Sequence, residues 1–376
     1  MKIIKSLDEQ TIRDLPKDKI NFFLDLGSGS LNHIKDSGLN EVFIIDHHEI
    51  IQDIPNNVEI INSQLHDKQK ISTSGLAYLF CKGIDKKNKD LSKLAVLGMV
   101  GDMMEKEIGK LINGILEDGE LKRKRGILIY PSTRPLNIPL EYSTNPYIPA
   151  VTGNSEGVME LLREINISVK GEKSKSIIDL NEEEMQKLTT AIMLRNPKCK
   201  SENMIGDIFL IKMYNKLEDA REISAMVNAC SRYGDSSTAL QLLMEIPKAK
   251  KKAEAIHIKY KQQLLSSLKF IEKAPKMEGK GFVIINAKNN VKDTMIGTIA
   301  SIIQHSNTYD DGTIIITMAY YDDKIKVSSR SVGRTGRNVR EMLNTIVTEI
   351  GGEVGGHEFA AGCNIEKEKE KEFIDL

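Results

Sequence analysis

The chain has 376 residues, 40% of them hydrophobic, and balances 53 basic against 53 acidic residues. That length can bury the cores of two ordinary domains without staples, and the zero net charge excludes a global positive field, so any grip on a polyanion must come from local patches. The four cysteines, at 81, 199, 230 and 363, form no metal-like pair and fit reduced thiols in a cytoplasmic protein, while the lack of an 18-residue apolar stretch or export signal argues against a membrane span or secretion.

In chain order, Ile20 to Leu24 reads as an apolar strand that ends on Asp25 and enters the turn Leu26-Gly27-Ser28-Gly29. Val42 to Ile45 reads as a second buried strand, closed by Asp46-His47-His48. Leu94 to Val100 is a compact apolar helix that runs into Gly101-Asp102. Each aspartate alone reads as a cap or turn former. Three of them at the ends of three buried elements, with two adjacent imidazoles, point to a shared use. Open parallel sheets gather ligands beyond the carboxyl ends of their strands, so Asp25 and Asp46 are expected to converge. A mixed carboxylate and imidazole set suits a divalent ion such as Mn2+, which activates water for attack on a phosphorus centre.

Further on, Lys122 to Arg125 is a basic run between a predicted helix and a short strand at 126–130, and reads as a solvated corner. Helical spacing covers Asn181 to Leu194 and Ala220 to Cys230; the second continues through Asn228 and Arg232 to Gly234, which suits a helix C-cap. Ile246 to Lys273 is a long basic helical connector, either tracking a phosphate backbone or solvated.

The carboxyl-terminal third reads as a small α/β module: strand 281–287, helix 294–304, strands 313–319 and 324–330, and helix 337–350. Its Gly351 to His357 segment reads as a loop with enough glycine for the backbone to approach a phosphate. Arg330, Arg334, Arg337 and Arg340 supply a basic surface near it, although charged helix faces are commonplace. Residues 366–372 alternate in charge and read as a solvated edge or helix face. Aromatic residues are few and tryptophan is absent, which favours backbone tracking over base stacking.

Taken in order, Leu24-Asp25-Leu-Gly-Ser-Gly29, Asp46-His47-His48, Gly98-Met-Val-Gly-Asp102 and Gly355-Gly356-His357-Glu-Phe-Ala-Ala-Gly362 resemble the DHH phosphoesterases with a DHHA1 domain, and among them the archaeal RecJ-like single-strand exonucleases. The resemblance runs over nearly the whole chain, and the spacings of 21 and 56 residues between positions 25, 46 and 102 are similar to the family's. It implies an α/β protein with a parallel-sheet DHH domain over 1–165, a helical insert and connector over 166–275, and a smaller α/β DHHA1 domain over 276–376. It also implies a Mn2+-dependent phosphodiesterase, with Mg2+ as the second candidate ion, acting on single-stranded DNA or RNA in a cleft between the domains. Carried over by position, Asp25, His47 and Asp102 are metal ligands, Asp46 is a ligand or the partner that orients an imidazole, and His48 faces the scissile phosphate. His47, His48 and Asp102 form the candidate catalytic set; Arg330, Gly355, Gly356 and His357 are candidate substrate contacts, with Asn228 and Arg232 in second rank.

One departure stands against these agreements. Family enzymes begin with an Asp-x-Asp-Gly element that completes a dinuclear site, whereas the early acids here, Asp8, Glu9, Asp14 and Asp18, have no such spacing. The DHH domain therefore reads as amino-terminally incomplete: either a shortened enzyme or a natural relative that lost part of its metal site. Three functions follow: an exonuclease releasing nucleotides from a 5′ end, a non-catalytic replication or repair subunit that binds the GINS complex or other partners, or a phosphodiesterase of short oligonucleotides or cyclic dinucleotides.

Overall fold

A computed structural model describes residues 2–4, 7–50, 52–65, 70–105, 108–119, 121–168, 175–197, 199, 201–306, 308–333 and 335–376. Arg334, counted above in the basic surface, lies outside them.

Strands β1 (Ile20–Leu24), β2 (Glu41–Asp46) and β3 (Val58–Asn62) form a parallel sheet in that order. Alternation sends Phe23, Val42, Ile44 and Val58 to one face, where Ile12, Leu31, Ile34 and Leu39 complete a core. In register Leu24 stands beside Ile45, and Asp46 beside Asn62. The residues that follow these strands therefore emerge at one end of the sheet. This is the expected parallel α/β arrangement.

The helix Ser92–Gly101 packs beside the helix Thr73–Ile84, and Gly98 sets how closely they approach. A Cβ at Gly98 would fall 1.9 Å from Ser74 Oγ, which is held by the Ala95 carbonyl at 3.2 Å. Any larger residue would push the helix ending at Asp102 away.

A second three-stranded sheet orders β4 (Lys122–Ile127), β5 (Ile205–Met213) and β6 (Lys216–Asp219). This sheet departs from the sequence-based expectation. The run Lys122–Arg125 forms most of a strand, with all four residues exposed, and Arg123 reaches Asp207 at 3.4 Å. Ile208 to Ile211 lie in the centre of β5, inside a segment read as helical insert. The 27-residue helix Pro247–Lys273 is present, but Lys250 pairs with Glu218 and Lys252 with Asp235 at 2.7 Å. Those two lysines are partnered locally and do not make a free basic track.

By packing, the chain divides into two compact units, Met1–Thr133 with Gly206–Ala253, and Arg134–Ile205 with Glu254–Leu376. The division is interleaved, because pairing with β4 returns β5 and β6 to the first unit.

In the second unit, β7 (Met277–Gly279), β8 (Phe282–Asn286), β9 (Ile314–Tyr321), β10 (Lys324–Ser331), β11 (Glu353–His357) and β12 (Ala360–Glu366) form one sheet, ordered β11-β12-β10-β9-β8-β7. Only β8 and β9 pair in parallel. One core joins Ile285, Ile315, Ile296 and Ile299 to Leu264 and Ile271 of the long helix. The other joins Ile325, Val327, Ile365 and Cys363 to Val339, Leu343 and Val347. The predicted loop 351–357 is, from Glu353 onward, the edge strand β11, and β12 went unrecognised. The charged tail forms the helix Glu370–Asp375, which is anchored by the buried Phe373 and by Glu370 accepting from Asn286 Nδ2 at 2.9 Å. Among the described residues, no helix is long and apolar enough to cross a membrane.

Candidate functional site

Asp25 follows β1 with φ 65°, a left-handed conformation that aspartate tolerates better than most residues, while its N–H still donates to the Ile45 carbonyl at 3.0 Å. The strand's last hydrogen bond and the reversal after it together leave the Asp25 carboxylate exposed beyond the sheet. His47 Nε2 stands 3.7 Å from Asp25 Oδ1. The His47 and His48 rings meet edge to face, with centroids 4.6 Å apart. Donor atoms of Asp25, His47 and His48 all lie within 4.8 Å of one another. Two of the three motif segments thus converge on one point.

Asp46 does something different. It is 1% exposed, and its Oδ1 accepts from the His47 N–H at 2.8 Å, the His48 N–H at 3.4 Å and His48 Nδ1 at 2.7 Å, while Oδ2 accepts from the Ser28 N–H at 3.2 Å. Burial works to raise its pKa, but the hydrogen bonds from His48 and Ser28 and the charge of His48 outweigh that and bring it down to about 2. An ionised carboxylate has no proton to give, so His48 Nδ1 carries the shared one. The same bond raises the His48 pKa, with burial opposing. Of the two roles open to Asp46, the geometry favours orienting His48.

Two residues in this support were not singled out from the sequence. Asn62, at the end of β3 and 1% exposed, donates from Nδ2 to Ser28 Oγ at 3.0 Å and to the His48 carbonyl at 2.9 Å. The available signal was a polar residue closing the short strand pattern Val58-Glu59-Ile60-Ile61, weaker than at Asp25 and Asp46 because Glu59 interrupts it. Ser28, fully buried, sits between Asp46 and Asn62.

Asp102 caps the helix Ser92–Gly101, its N–H donating to the Gly98 carbonyl at 2.9 Å. Burial raises its pKa and so does the charge of Asp25, against the opposing influence of His47 and His48. It therefore feels the cluster without belonging to the three-donor group. Asn228 and Arg232 pair with each other, Nε to Oδ1, at 3.1 Å on the exposed stripe of the helix Ala220–Arg232. Ser224, one turn earlier, lies against Gly101, since a Cβ there would fall 3.0 Å from Ser224 Oγ. The helix does end in the expected glycine turn, with Gly234 at φ 75°.

These residues fit one divalent ion. The donor set is one carboxylate and two imidazoles, and among the described residues neither Asp25 nor Asp102 has a lysine or arginine partner to neutralise it. They do not gather a second group of ligands: among the described residues the early acids contribute nothing to the cluster.

The second unit carries its own constellation. Ala360 pairs with Arg330 on one side and His357 on the other, and two positions along, Gly362 pairs with Ser328 and Gly355. Facing residues in register share a sheet face, so Arg330, Ala360, His357, Ser328, Gly362 and Gly355 all lie on one surface. Arg330 identifies the surface. Its Nε donates to Ser301 Oγ at 3.0 Å, and its guanidinium reaches the Gly297 carbonyl at 3.4 Å, both on the helix Asp293–Gln304. A floor nearly bare of side chains results, ending in an arginine and an exposed histidine. Above Gly355 an added Cβ would meet nothing within 4 Å. Arg337 and Arg340 lie exposed at the start of the helix Val339–Ile350. Ala360 and Gly362 lie within the quoted glycine-histidine motif without having been singled out as contacts, and Gly297 and Ser301 were missed; the helical i, i+4 spacing of those two small residues was the available hint.

The DHH-CID domain model matches residues 129–204 and the DHHA1 domain model residues 279–376. Both family-model matches fall almost entirely within the second unit. An uncharacterized protein of Methanocaldococcus jannaschii is 29% identical over 398 aligned positions, covering 99% of this chain and 84% of its own length. In structure the chain is similar to CDC45 from Entamoeba histolytica, with a TM-score of 0.64 at 12% identity over 95% of this chain and 83% of that one. It is also similar to RecJ in complex with Mn2+ from Thermus thermophilus, with a TM-score of 0.57 at 15% identity over 98% of this chain and 46% of that one. At such identities the structural likenesses speak to the fold. The chain thus carries a DHH-CID and a DHHA1 domain, and its fold is similar to those of RecJ and CDC45.

Proposed function

We propose that the chain is a divalent-ion-dependent phosphodiesterase that hydrolyses single-stranded nucleic acid, with Mn2+ as its working ion, in cytoplasmic replication or repair. The observation that carries this reading is the convergence of Asp25, His47 and His48 within 4.8 Å at the ends of β1 and β2. In this reading the motifs within 1–165 supply the chemistry, residues 276–376 hold the strand, and 166–275 connect them.

A divalent ion bound here would lower the pKa of a water and draw charge from the phosphoryl oxygens. The chain's own residues do the rest. Asp46 fixes the His48 ring and keeps the proton on Nδ1, leaving Nε2 as the nitrogen with a free lone pair. Asp25 and Asp102 concentrate negative charge that only a cation relieves. On the other unit, Arg330 offers its guanidinium to a phosphate, His357 a second donor, and Gly355 and Gly356 an unobstructed backbone. A floor without aromatic platforms favours backbone tracking with little sequence preference.

The test is a ladder of single strands from two to thirty nucleotides, labelled at the 5′ end and incubated with Mn2+, beside His47→Ala and Asp102→Ala. Cleavage abolished in both variants supports the reading, and faster cleavage of dinucleotides than of long strands would redirect it to short oligonucleotides or cyclic dinucleotides. A second reading is a non-catalytic subunit of a GINS-type replication assembly. It is favoured by the absence, among the described residues, of a second ligand group beside the three-donor cluster. Binding of strand or partner without cleavage would support that subunit.

A further inference from the structure

The guanidinium of Arg330 is held at each of its three nitrogens. Nε donates to Ser301 Oγ at 3.0 Å, Nη1 to the Ser329 carbonyl at 2.8 Å and Nη2 to the Gly297 carbonyl at 3.4 Å. Two of these acceptors are backbone carbonyls, which any residue at 297 and 329 would supply. The third is a side chain, so the anchor that a substitution can remove is Ser301. That residue is itself prepared. A hydroxyl has one hydrogen and two lone pairs; the Ser301 hydroxyl donates to the Gly297 carbonyl at 3.1 Å, one turn back along the helix Asp293–Gln304, and accepts from Arg330 Nε. Glycine weakens a helix interior, but here it makes room: a Cβ at Gly297 would fall 3.6 Å from Arg330 Nη2 and 3.3 Å from Ser328 Oγ. All three partners of the guanidinium are neutral. They orient the cation without cancelling its charge, and a long side chain ordered in advance loses less freedom when its planar fork meets a phosphate.

We infer that Ser301 is a positioning residue for strand binding: its hydroxyl holds the Arg330 guanidinium in the plane in which that arginine receives a phosphate of the strand. The inference rests on reading this sheet face as the strand-binding surface, and it deepens that reading by naming the residue that prepares the arginine.

The experiment measures binding apart from cleavage. The full chain, in EDTA, is titrated against a fluorescent single strand of ten nucleotides and against a 5′-phosphorylated dinucleotide, as wild type, Ser301→Ala, Ser301→Thr, Arg330→Ala and the double variant Ser301→Ala/Arg330→Ala. Circular dichroism melts check that each variant folds. Ser301→Ala should bind about 3–10-fold more weakly, and Ser301→Thr, which keeps the hydroxyl, should bind like the wild type. Arg330→Ala should lose at least ~10-fold. The double variant should bind no more weakly than Arg330→Ala, because a residue that acts through the arginine then has nothing to act on. The salt dependence of binding should become shallower by about one ion in Arg330→Ala and stay unchanged in Ser301→Ala. Unchanged affinity in Ser301→Ala, a loss that threonine does not restore, or a further loss in the double variant would each overturn the inference. The expected pattern with no cleavage in Mn2+ would keep the inference and overturn the hydrolase reading; cleavage in Mn2+ with Ser301→Ala binding as the wild type does would do the reverse. The pattern on the dinucleotide alone would keep the inference and redirect the substrate to short oligonucleotides. Binding of neither probe would overturn both.

Discussion

Asp25 Oδ1 and His47 Nε2 stand 3.7 Å apart, too far for a hydrogen bond and within the spacing of two ligands on one ion. The pair gains little from each other alone, since Asp25 is solvent-exposed. An ion that binds the folded chain should therefore stabilise it by mass action. At a hundredfold excess over its dissociation constant the gain is about 2.7 kcal/mol, which for a unit of this size raises the melting temperature by roughly 5–10 °C. Melts in EDTA and in Mn2+ measure the shift, and Asp25→Asn should reduce it sharply.

Replacing Asp46 by asparagine sets an amide where a carboxylate now accepts three donors through one oxygen. The His48 ring loses the partner that fixes its tautomer. Affinity for Mn2+ should fall by about 10–100-fold, and an unchanged dissociation constant in a folded Asp46→Asn chain would show that His48 is oriented by something else.

The glycine floor separates binding from folding. Gly355 has open space where a Cβ would go, whereas Gly356 adopts φ 126° and a Cβ there would fall 2.4 Å from the Ala360 carbonyl oxygen. Gly355→Ala should keep the wild-type melting temperature and bind a single-stranded oligonucleotide several-fold more weakly. Gly356→Ala should lose about 1–3 kcal/mol of stability from strain and overlap. Fluorescence anisotropy alongside thermal melts distinguishes the two effects.

His257, on the long helix, is 6% exposed; burial, aided by the charge of Lys261, lowers its pKa from 6.5 to about 3. The unfolded chain takes up a proton there below pH 6.5 and the folded chain does not. The stability tied to this neutral imidazole is complete above pH 6.5 and is lost as pH falls toward 3. By pH 4.5 the loss is roughly 2–3 kcal/mol. Urea melts at about pH 7.5 and 4.5 should show that extra loss in the wild type and not in His257→Gln.

Asp25, Asp46 and Asp102 were legible because a carboxylate closing an apolar run stands out in any window of sequence. Ser28 and Asn62 were not, because their contacts depend on the register that sets Asp46 beside Asn62 across two strands. Strand β11 was read as a loop because Gly351 to Gly356 has almost no apolar alternation; its pairing comes from β12. Strand β5 was hidden among helices, and its partner β4 carries four exposed basic residues where alternation would be sought. The seat of Arg330 could not be read either, since Gly297 lies 33 residues away and meets it only after the helix packs on the sheet.

That one ion is held by Asp25, His47 and His48 is tested most directly by crystals of the chain grown with Mn2+ and measured at the manganese absorption edge. A single anomalous peak is expected, about 2.0–2.3 Å from an Asp25 oxygen, His47 Nε2 and His48 Nε2. Two peaks there, or one peak without His48 among its ligands, would contradict it.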